Sequence, residues 1–140
     1  MKIKLLAFLV VGILAGCSAT GDDYIRGQTP TIINHPVLGN LTVAEQELLG
    51  PDANKNGIRD DIDIVIDKLS ADRKPDISRY VQQVTRDMII GSRGLSSASS
   101  EKASDAVVSP TISAVEKKIY LDLVINTAAR KAAFATWQGI

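Results

Sequence analysis

From residue 42 onward, apolar residues recur at the three- and four-residue spacing of an α-helix, and Pro or Gly separates the stretches that carry this pattern. The clearest stretch lies between Pro75 and Gly91. Its apolar residues share one helical face, which is formed by Ile77, Tyr80, Val81, Val84 and Met88. This periodicity predicts an all-α fold, a small helical domain over residues 42–140.

Two shorter helices are expected before Pro75. Thr42 and Glu45 have the spacing of a capping box, which predicts a helix over 43–49 that ends at Gly50 and Pro51. A second helix is expected over 59–70, where apolar residues again recur at helical spacing.

A long final helix is expected from Thr111 to Trp137, because no Pro or Gly interrupts this range. Ser109 and Pro110 suit its N-cap and first position. Its apolar residues fall on more than one side, which predicts a central helix with Trp137 as a packing residue. One of its stripes comprises Ile112, Val115, Ile119, Leu123 and Asn126.

The segment between the first two helices is rich in oxygen donors. Calcium takes six to eight oxygen ligands, and a loop that supplies them needs a sharp turn, for which Gly57 is suited. The spacing resembles that of an EF-hand calcium loop, and this resemblance implies as ligands Asp52, Asn54, Asn56, the carbonyl of Ile58, Asp60 and Asp63. The alternative is a plain hydrophilic turn, because Asn56-Gly57 is a turn dipeptide and Asp60 can cap the following helix.

This spacing resembles the calcium loop of EF-hands, and more closely the single loops of dockerins and other extracellular modules. Asp63 stands where EF-hands favour Glu, Arg59 stands where paired loops carry an apolar residue, and no second loop follows. The resemblance implies one weak structural calcium site at residues 52–63. Its dissociation constant is expected on the order of 10⁻⁴–10⁻³ M, as in extracellular modules.

The N-terminus has the pattern of a secretory signal: Lys2 and Lys4 precede an apolar run, residues 5–14, that is too short to span a bilayer. The sequence Leu-Ala-Gly-Cys that follows ends at Cys17. It resembles the lipobox of bacterial lipoproteins, which implies cleavage of residues 1–16 and lipidation of Cys17. Ser18 then implies delivery to the outer membrane of a two-membrane host, facing the periplasm.

Residues 17–41 are expected to form a flexible tether, because Gly and Pro break any regular period there. His35 is the one histidine of the chain, and we expect it to be an exposed loop residue without a catalytic partner. Balanced charge, with 16 basic and 16 acidic residues and no basic stripe, gives no reason to expect nucleic-acid binding.

A second resemblance joins the loop to the C-terminal region. The loop sequence D-x-N-x-N-G-I-R-D-D and a later Asn-Thr-x-x-Arg-x-x-Ala-aromatic motif resemble a group of uncharacterised bacterial envelope proteins. The later motif covers residues 126–134 here. Asn126 and Arg130 lie one helical turn apart, and we expect a polar contact between them.

The expected function is a non-catalytic, lipid-anchored envelope protein with a weak calcium loop. A free cysteine and a nucleophile-elbow serine are both lacking, and the single histidine falls in the tether, so we do not expect an enzyme. The expected partners are the membrane, through the lipid anchor, and an envelope protein. The alternative is a metal-independent partner-binding lipoprotein of the immunity, inhibitor or envelope-assembly type.

Overall fold

A computed structural model describes residues 31–98 and 111–140, and this part of the chain is mainly helical with a small antiparallel sheet. The strands are β1 (Ile33–His35) and β2 (Gly39–Leu41), and the helices are α1 (Val43–Leu49), α2 (Asp60–Ile66), α3 (Lys74–Ser92), α4 (Ala114–Val124) and α5 (Ala128–Gln138). The predicted helical domain is therefore confirmed in its coarse form. The all-α prediction is wrong, because the chain also forms the β1–β2 hairpin.

The hairpin lies where the sequence predicted a flexible tether. Ile33 pairs with Leu41 and His35 pairs with Gly39, and the last residue of each strand is buried. The predicted extent of the tether, 17–41, is therefore wrong for residues 33–41, which fold against the helices. Residues 17–30 of the tether, and the signal of residues 1–16, lie outside the described part of the chain.

The first two helices follow local sequence signals. The predicted capping box is present, with the Thr42 amide donating to Glu45 at 2.7 Å and the Glu45 amide donating to the Thr42 hydroxyl at 3.3 Å. The helix predicted over 59–70 is shorter than expected, because α2 gives way to turns after Ile66. Ile62 and Ile66 nonetheless bury the predicted apolar face.

α3 is the central helix of the described structure and packs against α1, α2, α4 and α5. The predicted apolar face is confirmed, since Ile77, Val81, Val84 and Met88 are each at most 4% exposed. α3 is also the longest helix, yet within residues 31–98 and 111–140 no helix has the length and apolar character needed to cross a bilayer.

The long helix predicted from Thr111 to Trp137 is two helices. α4 ends at Val124, and α5 begins after Thr127, whose hydroxyl accepts a hydrogen bond from the Arg130 amide at 3.2 Å. A cap residue thus interrupts the helix without Pro or Gly, and the break allows both helices to pack on α3. The predicted start at Ser109 and Pro110 lies outside the described residues.

The break also changes which residues are buried on the last two helices. Val115 is 70% exposed and Ile119 is 52% exposed, so the middle of the predicted apolar stripe faces away from the core, while Ile112 and Leu123 at its two ends pack against it. Tyr120 and Val124 form the buried face of α4, and Trp137 is buried as expected. The prediction of a central C-terminal helix is therefore wrong.

α3 and α5 approach each other most closely at Gly91. A Cβ atom built there would overlap the carbonyl oxygen of Ala133 and lie 3.0 Å from the Cβ atom of Trp137. The carbonyl belongs to a helix backbone that cannot rotate away, so this crossing requires a residue without a side chain.

We predict that Gly91→Ala lowers the free energy of unfolding by about 1–3 kcal/mol, the usual cost of overpacking a core. Helix propensity alone would change it by about 1 kcal/mol in the opposite direction, so the sign of the effect is diagnostic. Urea unfolding followed by circular dichroism measures it. Ser92→Ala, at an exposed neighbouring position, is the control, and a stabilised Gly91→Ala variant would contradict the close crossing.

Candidate metal centre

The oxygen-rich loop begins where α1 ends and returns the chain to the core at Ile58. Lys55 and Gly57 have φ angles of +56° and +83°, so the backbone turns twice through the left-handed region and curves around its own polar side chains. Ile58 is 1% exposed and anchors the exit of the loop in the core. Glycine adopts the second of these turns without strain.

The side chain of Asp52 is buried, with 2% of its surface exposed. Its Oδ1 accepts the Asn56 amide at 3.1 Å, and its Oδ2 accepts the Gly57 amide at 2.8 Å. Oδ2 also accepts Nε2 of His35 at 3.0 Å. The carboxylate therefore closes the loop on itself and ties it to the hairpin.

His35 is buried and structural rather than exposed, which corrects the prediction made from the sequence. Its Nδ1 accepts the backbone amides of Val37 at 3.2 Å and Leu38 at 3.1 Å, so Nδ1 carries no proton. The proton of the neutral ring then sits on Nε2 and is donated to Asp52. The prediction failed because the partner of His35 lies 17 residues further along the chain.

Asp63 is joined to the loop by two side-chain amides. Nδ2 of Asn54 donates to Asp63 Oδ2 at 2.9 Å, and Nδ2 of Asn56 donates to both carboxylate oxygens at 3.1 and 2.9 Å. The amide oxygens turn toward the backbone, since Asn54 Oδ1 accepts the Asn56 amide and Asn56 Oδ1 accepts the Ile58 amide. Four of the six sequence-predicted ligands thus belong to one hydrogen-bonded network.

The other two candidate ligands are placed differently. Asp60 Oδ1 accepts the Ala53 amide at 2.9 Å and bonds to none of the four network residues. The side chain of Ile58 packs in the core, so its contribution to a site would be its carbonyl oxygen alone. Gln82 of α3 was not anticipated, and its side-chain amide donates to the carbonyl of Asn56 at 2.7 Å.

The network has the chemistry of a calcium site, but its amides are oriented for hydrogen bonding. Calcium is bound by carboxylate, amide and carbonyl oxygens, and the loop offers all three. An ion would require Asn54 and Asn56 to rotate their oxygens toward Asp63, replacing the N–H groups that now face it. Within the described residues, no cluster of three or more Asp, Glu, His or Cys side chains is arranged for a metal, so the candidate donor set depends on the amides.

Arg59 connects the loop to the C-terminal helices. Its buried guanidinium forms a two-pronged ion pair with Asp61 and donates to the Leu123 carbonyl at 3.1 Å. The hydrogen bond from Arg59 holds the pKa of the Asp61 carboxyl below its usual value. Arg59, the eighth residue of the loop, therefore links the start of α2 to the end of α4.

Asn126 lies at the centre of this link, at the break between α4 and α5. Its Oδ1 accepts Nη1 of Arg130 at 2.6 Å and Nη1 of Arg59 at 3.5 Å. The predicted contact between Asn126 and Arg130 is confirmed, and the contact with Arg59 had no signal in the sequence spacing. Arg130 also donates through Nε to the Leu48 carbonyl at 2.7 Å, which ties α5 to the end of α1.

No protein-family model, curated protein or solved structure matches this chain.

We predict that Asp52→Asn lowers the free energy of unfolding by about 2–4 kcal/mol in the presence of chelator. In one orientation the new NH2 group opposes the N–H donors of Gly57 and His35, and in the other it opposes the Asn56 amide, so at least one donor loses its carboxylate acceptor in either case. Asp63→Asn is the matched control and should cost less, because its partners are side-chain amides that can rotate.

Chemical unfolding of both variants measures this difference. Equal losses, or a loss below about 0.5 kcal/mol for Asp52→Asn, would contradict a structural role for the buried carboxylate.

Proposed function

We propose that this protein is a lipid-anchored cell-envelope protein whose loop at residues 52–63 binds one calcium ion as a structural element. The observation that carries the calcium proposal is the convergence of Asp52, Asn54, Asn56 and Asp63 in one polar network. Those four side chains occupy the ligand spacing of a calcium loop, and a plain turn does not require that spacing.

The ion would be held by Asp52 and Asp63 as the two anionic ligands, with oxygens from Asn54 and Asn56. The Ile58 carbonyl and Asp60 are the remaining donors that the loop offers. Because Asp52 is the first residue of the loop and Asp63 lies in α2, an ion bound by both would join the two ends of the loop. Binding to the folded state alone then stabilises the protein by mass action.

A non-catalytic role is part of this proposal. Both ring nitrogens of His35 are engaged by the protein itself, one by backbone amides and one by Asp52. A histidine held in this way is not available as a general base, which requires a free nitrogen within reach of a substrate.

The rival proposal is a metal-independent lipoprotein that binds an envelope protein. One observation favours it: both oxygens of Asp52 already accept hydrogen bonds from protein groups, so the loop is closed without an ion. In that case the loop is a rigid turn and its amides keep their present orientation.

We predict that calcium, at about ten- to a hundred-fold above its dissociation constant, stabilises the full-length chain by roughly 1.4–2.7 kcal/mol. Asp63→Asn should remove this effect while preserving most of the stability in chelator. Asp67→Asn makes the same charge change at an exposed position directly after α2, and this variant should retain the stabilisation by calcium.

Thermal melting in non-ionic detergent, with calcium or with chelator, measures this effect, and calorimetry measures uptake of the ion. An unchanged melting temperature together with no heat of binding would contradict the calcium proposal and support the rival proposal, in which the loop is a rigid turn that binds no metal.

The lipid anchor is proposed from the Leu-Ala-Gly-Cys sequence at residues 14–17 and places the protein in the bacterial envelope. With Ser18 after the cysteine, we propose the outer membrane, with the domain facing the periplasm. Two or more acyl chains give stable anchoring, at about 0.8 kcal/mol for each buried methylene.

We predict that Cys17→Ser moves the protein from the membrane fraction to the soluble fraction of expressing cells, because the acceptor thiol is lost. Mass spectrometry of the protein without a substitution should show the mass of the acyl groups on the peptide that begins at Cys17. Ser18→Ala retains the thiol and serves as the control. Tight membrane association of Cys17→Ser would argue against the lipidation proposal.

A further inference from the structure

We propose that the cavity between α1 and the start of α5 binds a carboxylate ligand with a small apolar substituent, and that Arg130 receives the carboxylate. The cavity measures about 320 Å³ and is lined by Ala44, Glu47, Leu48, Thr127, Ala129 and Arg130. It is separate from the calcium loop, and the inference does not depend on the calcium proposal.

Arg130 is a buried cation whose hydrogen-bond partners are neutral. It is 9% exposed, and its guanidinium donates to the carbonyl of Leu48 and to the side-chain oxygen of Asn126. Among residues 31–98 and 111–140, no carboxylate oxygen lies within 4 Å of it. Its Nη2 group makes no hydrogen bond there, and because no buried side-chain donor of these residues lacks a partner, Nη2 is accessible from solvent. A largely buried charge is normally paired with an opposite charge, whereas the acceptors of Arg130 are neutral, so its accessible Nη2 group is open to an anionic ligand.

A second buried arginine increases the local excess of positive charge. Arg59 and Arg130 both pack on Gly50, where a built Cβ atom would lie 2.8 Å from Arg59 Cδ and 3.0 Å from Arg130 Nη2. The carboxylate in this group belongs to Asp61, which pairs with Arg59 and has 62% of its side chain exposed. Burial, and then the charge of Arg59, lower the pKa of Arg130. Two buried cations thus share one surface carboxylate.

The walls of the cavity define the rest of the ligand. Ala44, Leu48 and Ala129 present apolar groups, which suit a short aliphatic body. Glu47 adds one negative charge to the lining and disfavours a dianion such as phosphate. A monocarboxylate matches this arrangement, because its two oxygens fit the planar donors of a guanidinium.

The test is an NMR titration of the isotopically labelled full-length chain in non-ionic detergent, with chelator present throughout. The probes are butyrate, N-acetylalanine and inorganic phosphate, added at constant ionic strength. We expect a saturable shift of the Arg130 Nε–Hε resonance with both carboxylates, in the millimolar range, and binding of phosphate at least several-fold weaker. No saturable shift with either carboxylate, or tighter binding of phosphate, would overturn the proposal.

Substitutions in the cavity wall separate binding from a structural role of Arg130. Ala129→Glu places a competing carboxylate in the cavity and should abolish the shift, whereas Ala132→Glu, at an exposed position of the same helix, should retain it. Ala44→Leu fills the cavity without a charge and should also abolish the shift, which keeps the test valid if Ala129→Glu does not fold. Glu47→Gln should tighten carboxylate binding several-fold. A full response in Ala44→Leu would show that the ligand binds elsewhere.

Discussion

A carboxylate that folding removes from water must be hydrogen-bonded, and Asp52 meets this requirement with donors from two separate parts of the chain. Two are amides of its own loop, and the third is the ring of His35 in the hairpin. Charge-assisted bonds of this kind offset the several kcal/mol that desolvation of an ion costs. Because one carboxylate accepts all three, the shape of the loop and the position of the hairpin are set by the same interaction.

The side of the loop nearest α2 is fixed by a second polar junction, formed by Arg59, Asn126 and Arg130. Planar guanidinium groups allow each arginine to reach several acceptors at once, which a lysine in either place would not do. The junction joins the exit of the loop to the break between α4 and α5, and joins α5 to the end of α1. It also concentrates positive charge in the interior, and this excess is the reason that the neighbouring cavity is suited to an anion.

These two junctions bear on what an ion would do in the loop. The backbone turns at Lys55 and Gly57 are held by two hydrogen bonds within the protein, one from the Gly57 amide to Asp52 and one from the Gln82 side chain to the Asn56 carbonyl. Neither bond requires a metal ion. An ion would therefore meet a loop that is already curved, and the change needed would be a rotation of the Asn54 and Asn56 amides. Such a site adds stability to an existing shape rather than switching between two shapes, which is in keeping with the structural role proposed for calcium.

Much of the local structure is encoded within a few residues of where it forms. The capping box of α1, the stop at Gly50 and Pro51, the buried face of α3 and the contact of Asn126 with Arg130 were all predictable, because each depends on residues within a few turns of a helix. The grouping of Asp52, Asn54, Asn56 and Asp63 was also anticipated from their spacing. The break at Thr127 was not predicted from the sequence. A threonine can lie within a helix or cap one, and here the packing of both α4 and α5 on α3 favours two short helices over one long helix.

What the sequence determined by itself is the set of helical segments and the composition of the oxygen-rich loop, because periodicity and ligand spacing are local properties. The tertiary structure alone decided that His35 is a buried partner of Asp52, that residues 33–41 form a hairpin, and that Arg59 meets Asn126. The hairpin pairs residues that are close in sequence, but its last residues are buried only where the helices cover it. The contacts of His35 with Asp52 and of Arg59 with Asn126 join residues that are 17 and 67 positions apart. Only the packing of the whole domain brings such residues together, and burial then makes their hydrogen bonds obligatory.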